Sequence, residues 1–317
     1  MFIERRCCPV CRSGGVDQVY SEPYVGAGPE TVLRPKHDRL ARPLGYEERL
    51  DGFDYTILAC RDCRALFQKL APDPAFAAEY YGTWIARHDR PDYPLAEYTH
   101  HIHQAMVLTD FLLKATGKRI PDELSILDYG VGRGIFAAAM KACGCRVSGY
   151  DLSAERMSMI QQEGIEPVGY SDIPGSNFDF INTEQVFEHL PDPLATASHL
   201  IDGLSRRGIM KVSVPYAPWL EQGEVAIDWH ADRYARNSSM PLQPIEHLTY
   251  FRRPSLTSMM RRLGFHIVRP AILSELNYTF DWGGLRKIGR NLLRPFLRNR
   301  LRNYYLFART SPPGTLA

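Results

Sequence analysis

Three groups of residues have the types and spacing for chemistry. The first is a set of acids around glycines. Asp128 stands directly ahead of a turn holding Gly130, Gly132 and Gly134, Asp151 closes the next apolar run, and Asp172 sits in Y-S-D-I farther on. Glycines let the backbone approach a ligand without Cβ clashes. Asp151 follows Gly132 by nineteen residues, the spacing at which a carboxylate grips ribose hydroxyls. A dinucleotide fingerprint requires glycine at 135, which is Ile135 here. Asp128 would repel a pyrophosphate and favour a cation, and Asp172 can accept from an exocyclic amine such as that of adenine. The ligand therefore has adenosine at one end and an ammonium at the other.

The second group is C-P-V-C at Cys8 to Cys11 and C-R-D-C at Cys60 to Cys63. Two such knuckles place four thiolates for a tetrahedral, closed and hence structural Zn²⁺ site. Cys7 could replace Cys8, but C-P-x-C is the commoner knuckle, and Cys7 is read as the spare. A redox pair or free thiols is the alternative. The third group is two acid–histidine pairs, Glu188-His189 and Glu246-His247. A histidine titrates near neutrality and suits a general base. A structural hydrogen bond is the rival role for His189. His100, His101 and His103 could suggest a metal site but read as a polar helix start.

Elements must hold these groups. Leu124 to Asp151 reads as strand, glycine turn, Ala-rich helix and strand, and binds its ligand at the strands' carboxyl ends. Y-T-I-L-A (Tyr55 to Ala59) reads as a strand entering the second knuckle, Glu22 to Gly52 as an insertion loop, and Pro74 to Trp84 and His100 to Thr116 as helices. Tyr170 to Ile173 ends a third strand. A helix over Pro254 to Leu263, a strand over His266 to Ile272 and a last strand over Tyr304 to Arg309 follow. Pro215 to Pro244, with Trp219, Trp229 and His230, occupies the place of a substrate lid, or is a surface insertion. Leu285 to Arg302 carries seven basic residues and no acid. It reads either as a basic amphipathic helix that could touch an anionic membrane or as a helix docked on the sheet.

The 317 residues suffice for an α/β domain plus something smaller, and 44% hydrophobic with 23% charged residues marks a globular chain. A net charge of +2 gives no general pull toward nucleic acid. No run is long enough to span a membrane, and M-F-I-E-R-R-C-C lacks a signal peptide's apolar region, so a cytoplasmic protein is expected. Seven cysteines in such a compartment do not imply a disulfide framework.

The motifs resemble those of class I S-adenosylmethionine-dependent methyltransferases over roughly residues 120 to 310. L-D-Y-G-V-G-R-G (Leu127 to Gly134) matches the family's D-x-G-x-G-x-G loop, Asp151 its ribose-binding acid and Ser171 to Ile173 its adenine-side segment. Phe178 to Pro193 looks like its fourth strand and following loop, and Gly208 to Pro215 its fifth strand. The resemblance implies an α/β, Rossmann-like seven-stranded methyltransferase domain over 121–317. A small zinc-ribbon module over 1–70 and a helical connector over 71–120 precede it. It also implies cofactor contacts from Asp128, Tyr129, Gly130, Gly132, Gly134, Asp151, Leu152, Asp172, Ile173, Glu184 and Gln185, the last two at the methionine end. The ribbon-first order resembles bacterial methyltransferases of sugars and cell-surface glycans. Their C-methylating members carry a further C-terminal domain for which this chain ends too soon, which favours O-methylation of a sugar or glycan-type small substrate. Catalysis is then expected from His189, Glu246 and His247, the last two matching an acid–histidine pair of that group. The rivals are an RNA methyltransferase gripping RNA through its ribbon and a non-catalytic S-adenosylmethionine-binding scaffold.

Overall fold

A computed structural model describes residues 1–33, 46–80, 95–222, 225–233, 235–270, 288–289, 293 and 304–310. These form two compact units. The first comprises residues 1–91, 187–195 and 214–259, the second 92–186, 196–213 and 260–317. Strands are numbered along the chain.

The second unit is built on a seven-stranded sheet. Its strands are β6 (Ser125–Tyr129), β7 (Arg146–Tyr150), β8 (Glu166–Pro167), β9 (Phe178–Glu184), β10 (Leu204–Ser213), β12 (Phe265–Val268) and β13 (Tyr304–Arg309). Their order is β12-β13-β10-β9-β6-β7-β8. The five from β10 to β8 run parallel, and β13 enters antiparallel between β10 and β12. β6 has β7 on one side and β9 on the other, so the strand order reverses there and opens a crevice at its carboxyl end. The helix Leu95–Thr116 packs Ala105, Leu108 and Leu112 into the same core as Phe136, Met140 and Phe180. His103 is buried on that helix, so the polar helix start does not describe it. The third strand is also shorter than its sequence suggests. β8 stops at Pro167, and Tyr170–Asp172 forms a 3₁₀ turn after Gly169. β8 is an edge strand, so Pro167 costs no ladder bond, and the last bond to β7 is from Val168 N–H to the Gly149 carbonyl at 3.0 Å.

The first unit contains β1 (Phe2–Glu4) paired with β5 (Leu70–Pro72) and a four-stranded sheet ordered β11-β4-β3-β2. Here β2 is Val16–Pro23, β3 Asp54–Cys60, β4 Leu66–Gln68 and β11 Thr249–Tyr250. The late strand β11 thus adds to a sheet made by the first 70 residues, and segment 214–259 packs with them rather than with the parallel sheet. The sequence places that segment in the 121–317 region because a single two-residue pairing carries no local signal. Glu22 to Gly52 contains short helices at Pro29–Leu33 and Tyr46–Leu50. Tyr24, Tyr55, Phe76, Tyr80, Leu242 and Tyr250 share one core. No helix among the described residues is long and apolar enough to cross a membrane. Tyr81, Trp84 and nearly all of the basic stretch Leu285 to Arg302 lie outside the described residues.

Candidate active site

In the second unit, the turn after β6 is pinned to the end of β7. The N–H groups of Gly130 and Val131 both donate to the Tyr150 carbonyl, at 2.8 and 2.9 Å. Gly130 has φ +75°, and a Cβ there would come within 2.4 Å of Val186 Cγ2, so only glycine fits. Asp151 closes β7 and accepts from Gly132 N–H at 3.0 Å and Ser153 N–H at 2.9 Å. Ser153 then caps the helix Ala154–Gln162. Beside the acid, Leu152 is 87% exposed, an apolar face available for stacking. Tyr129 stacks on Tyr150 at 5.0 Å, and Tyr170 stacks on His199 at 3.9 Å. Asp172 is exposed and receives a hydrogen bond from Ser171 Oγ, while Ile173 is fully buried.

Asp128 lies buried at the end of β6 and accepts from Asn182 Nδ2 at 2.7 Å. Burial pushes its carboxyl up to about 6 against the pull of that hydrogen bond and of the Lys211 charge. Lys211 is fully buried, a lone cation in the apolar strand G-I-M-K-V-S-V. It donates to Glu184 and to Gln104 Oε1, and lies 5.1 Å from the Phe136 ring. Burial raises the Glu184 carboxyl, but the charge and hydrogen bond of Lys211 outweigh it and hold Glu184 ionised. Gln185 has φ +53° and reaches Ser213 Oγ at 3.1 Å, and that hydroxyl donates to Glu184 at 3.1 Å. Residues in such left-handed backbone concentrate at functional sites. Sequence reading names Glu184 and Gln185 as candidates but not Lys211 or Asn182. The signal for Lys211 was its isolation among apolar neighbours.

In the first unit, Glu188, His189 and His247 come together, with one ligand-type atom from each within 4.8 Å of the others. The two rings stand edge to face, 4.8 Å between centroids. His189 Nε2 is 3.7 Å from Glu188 Oε1. His247 Nδ1 bonds the Met240 carbonyl at 2.5 Å. Burial pulls His189 down to about 4 and His247 to about 3, so both rings are neutral at pH 7. Glu246 receives a hydrogen bond from Gln243 and burial raises its carboxyl to about 7.

The loop bearing Glu246 and His247 is held by Gln68 of β4. Its Nε2 donates to the carbonyls of Gln243 and His247 at 2.8 and 3.0 Å, and its Oε1 accepts from Ile245 N–H at 3.1 Å. Ile245 has φ +66°, a strained value for a β-branched residue that the clamp maintains. Buried Arg5 adds donations to the carbonyls of Gln68 and Leu248. Gln68 and Arg5 have no sequence signature. In the Pro215–Pro244 segment, the Trp229 indole donates to Tyr20 and Glu22 at 3.1 Å, whereas His230 is exposed.

Cys8, Cys11, Cys60 and Cys63 converge in the same unit, buried, while Cys7 is exposed. The Sγ pairs Cys8–Cys63 and Cys11–Cys60 stand 3.5 Å apart, and none of the four is in a disulfide. A tetrahedral Zn²⁺ with bonds of about 2.3 Å needs sulfurs about 3.8 Å apart, so this set fits. The hydrogen bond between Cys63 and Cys8 lowers Cys8 to about 5 while raising Cys63, and burial raises Cys11 to about 11. One thiol thus ionises at another's expense, and a dication would allow all to ionise.

The chain matches the family described as "Methyltransferase domain" over residues 98–269, more than half its length. It is 29% identical over 110 residues to a ubiquinone biosynthesis O-methyltransferase of Pseudoalteromonas translucida (strain TAC 125), covering 31% of this chain and 45% of that one. A ubiquinone biosynthesis O-methyltransferase of Chromobacterium violaceum is 32% identical over 80 residues, covering 22% and 34%. The chain spans less than half the length of these curated relatives. Among solved structures, the plantazolicin methyltransferase BpumL with a pentazolic desmethylPZN analog and SAH overlays 75% of this chain and 95% of its own. Its TM-score is 0.48 and its identity 15%. With the family match centred on the parallel sheet and its glycine turn, the chain belongs to the methyltransferase-domain family.

Proposed function

We propose that the enzyme moves the methyl group of S-adenosylmethionine to an oxygen of a small-molecule acceptor. The observation that carries this is the pairing of half-buried His189 with buried His247, the latter on a clamped loop next to Glu246. A hydroxyl must lose its proton as it attacks, so oxygen acceptors call for polar groups fixed in place in this way. The curated relatives, named as O-methyltransferases, support the same acceptor atom. A sugar or glycan unit is the acceptor class that the ribbon-first order supports, through the convergent cysteines.

On the cofactor side, Asp151 takes the ribose hydroxyls, and Leu152 and Asp172 take the adenine, while fully buried Ile173 only supports that segment from beneath. Tyr129 and the glycines 130, 132 and 134 line the turn. Asp128, Glu184 and Gln185 serve the methionine end, where ionised carboxylates favour its ammonium and sulfonium. The four cysteines hold a structural Zn²⁺ whose chemistry is confined to folding the small unit.

Incubation with methyl-labelled cofactor and a panel of nucleotide sugars and phenolic hydroxyl compounds tests the acceptor. A methoxy carbon in the product is the expected result. Label on nitrogen or carbon would overturn the oxygen assignment, and label confined to phenols would remove the sugar class. Asp151→Ala should weaken cofactor binding at least about tenfold by calorimetry, since a charge-assisted hydrogen bond contributes about 1.5–3 kcal/mol. An unchanged Kd would sink its role.

A further inference from the structure

Among the described residues, Glu188, His189 and His247 form a second cluster of metal-type donors, chemically unlike the four thiols. Their donor atoms lie within 4.8 Å of one another. Some point therefore lies within about 2.8 Å of all three, and shifts below about 1 Å reach the 2.0–2.2 Å bonds that imidazole and carboxylate make to a transition-metal dication. The rings are also held as ligands are. His247 Nδ1 bonds the Met240 carbonyl, which turns Nε2 into the coordinating atom. The His189 ring stands edge to face against His247, 4.8 Å between centroids. Gln68 fixes the His247 backbone through its carbonyl. Glu188, 1% exposed, presents its carboxylate 3.7 Å from His189 Nε2.

We propose that Glu188, His189 and His247 bind a divalent first-row transition cation, with positions left open for an acceptor oxygen. Two imidazoles and one carboxylate suit Zn²⁺, Fe²⁺, Co²⁺ or Ni²⁺, whereas Mg²⁺ and Ca²⁺ prefer all-oxygen shells. Three protein ligands leave coordination open, unlike the closed thiolate set. The role in turnover rests on the oxygen-acceptor reading above. A hydroxyl bound at the open position loses its proton to solvent. The resulting oxyanion forms its O–C bond as the S–C bond breaks, leaving a neutral thioether. The two histidines then act as ligands instead of free bases.

Metal analysis of the full-length protein tests this. After chelator dialysis, the chain is titrated with Co²⁺, and bound metal and the visible spectrum are followed. About two cations per chain are expected, one with thiolate charge-transfer absorption and one without. Glu188→Gln and His247→Gln should each weaken the second site at least about tenfold while the thiolate bands and the cofactor Kd stay unchanged, which also certifies the fold. A wild-type stoichiometry of one, or variants that keep both cations, overturns the proposal. This readout needs no acceptor, so the two readings fail separately. Two cations with no methoxy product leave the site standing, and full-rate O-methylation by protein carrying only the thiolate-bound cation removes it.

Discussion

The two units are held by different kinds of contact. In the second, Asp128, Asp151 and Glu184 sit at the ends of strands whose neighbours repeat the same parallel pairing, and the glycine turn and the Ser153 cap follow within a few residues. In the first, the histidine loop is held by single side chains from far away in sequence. Gln68 bonds residues 175 to 179 positions distant and Arg5 reaches 243. A repeated backbone pattern spreads its stability over many weak bonds. A side-chain clamp concentrates it in a few buried groups, so single substitutions should be felt far more in the first unit.

The largest expected effect comes from the thiol cluster. Cys60→Ser removes one of four converging sulfurs, and structural zinc sites supply about 10–16 kcal/mol of folding energy. Hydrogen exchange should show β2, β3 and β4 losing protection while β6, β7 and β9 retain it. Equal loss in both sheets would break the contrast, because the units would then unfold as one. Next comes Gln68→Leu, which strips partners from two buried carbonyls and one N–H around strained Ile245. Each orphaned group costs about 1–3 kcal/mol, so stability should fall by about 3 kcal/mol or more in denaturant titration. Methyl transfer should fall with it, while cofactor affinity holds.

These clamps also mark where sequence reading runs out. Leu127 to Gly134 and Asp151 were legible because about 25 contiguous residues fold onto themselves and each type has a local reason. Cys8, Cys11, Cys60 and Cys63 were legible as a set since thiolates in C-x-x-C pairs can meet only at a turn. Gln68 and Arg5 look like any polar residue beside a strand. What matters about them is a pairing with residues 243–249, set by the two-residue strand β11 joining β4. Glu188 and His247, 59 positions apart in chain number, have the same difficulty. The acid–histidine types were visible, their convergence was not. Lys211 falls between these cases, since a charge in an apolar strand asks for a partner but does not name Glu184.

A smaller effect separates the units by pH. Asp128 has its folded carboxyl raised from 3.8 to about 6, so the apoprotein is favoured while this group is protonated. Stability from it is lost as pH rises through about 4 to 6, a cost of about 3 kcal/mol at 1.36 kcal/mol per unit. A cationic cofactor needs the ionised form, whose fraction climbs from about 0.1 at pH 5 to about 0.9 at pH 7. Cofactor affinity should therefore rise about tenfold over that range, and Asp128→Asn should flatten the profile. A wild-type affinity that falls with pH would rule out a charge role for Asp128.

The smallest effect is expected at Arg12, where the first unit does use an ion pair. Its guanidinium meets both Asp192 oxygens at 2.6 Å, but the side chains are 49% and 45% exposed. Exposed pairs contribute about 0–1 kcal/mol, because water screens the charges and both side chains lose rotamer freedom. Arg12→Ala should shift Tm by no more than about 3 °C, and added salt should erase the difference. Asp192→Ala should cost more, since Asp192 Oδ1 also accepts the Ala195 N–H at 3.0 Å and so caps the helix Pro193–Asp202. The gap between the two variants isolates the cap from the ion pair. If Arg12→Ala instead matched Gln68→Leu, a surface charge would be carrying what is assigned here to buried carboxamide bonds, and the contrast between the units would lose its physical basis.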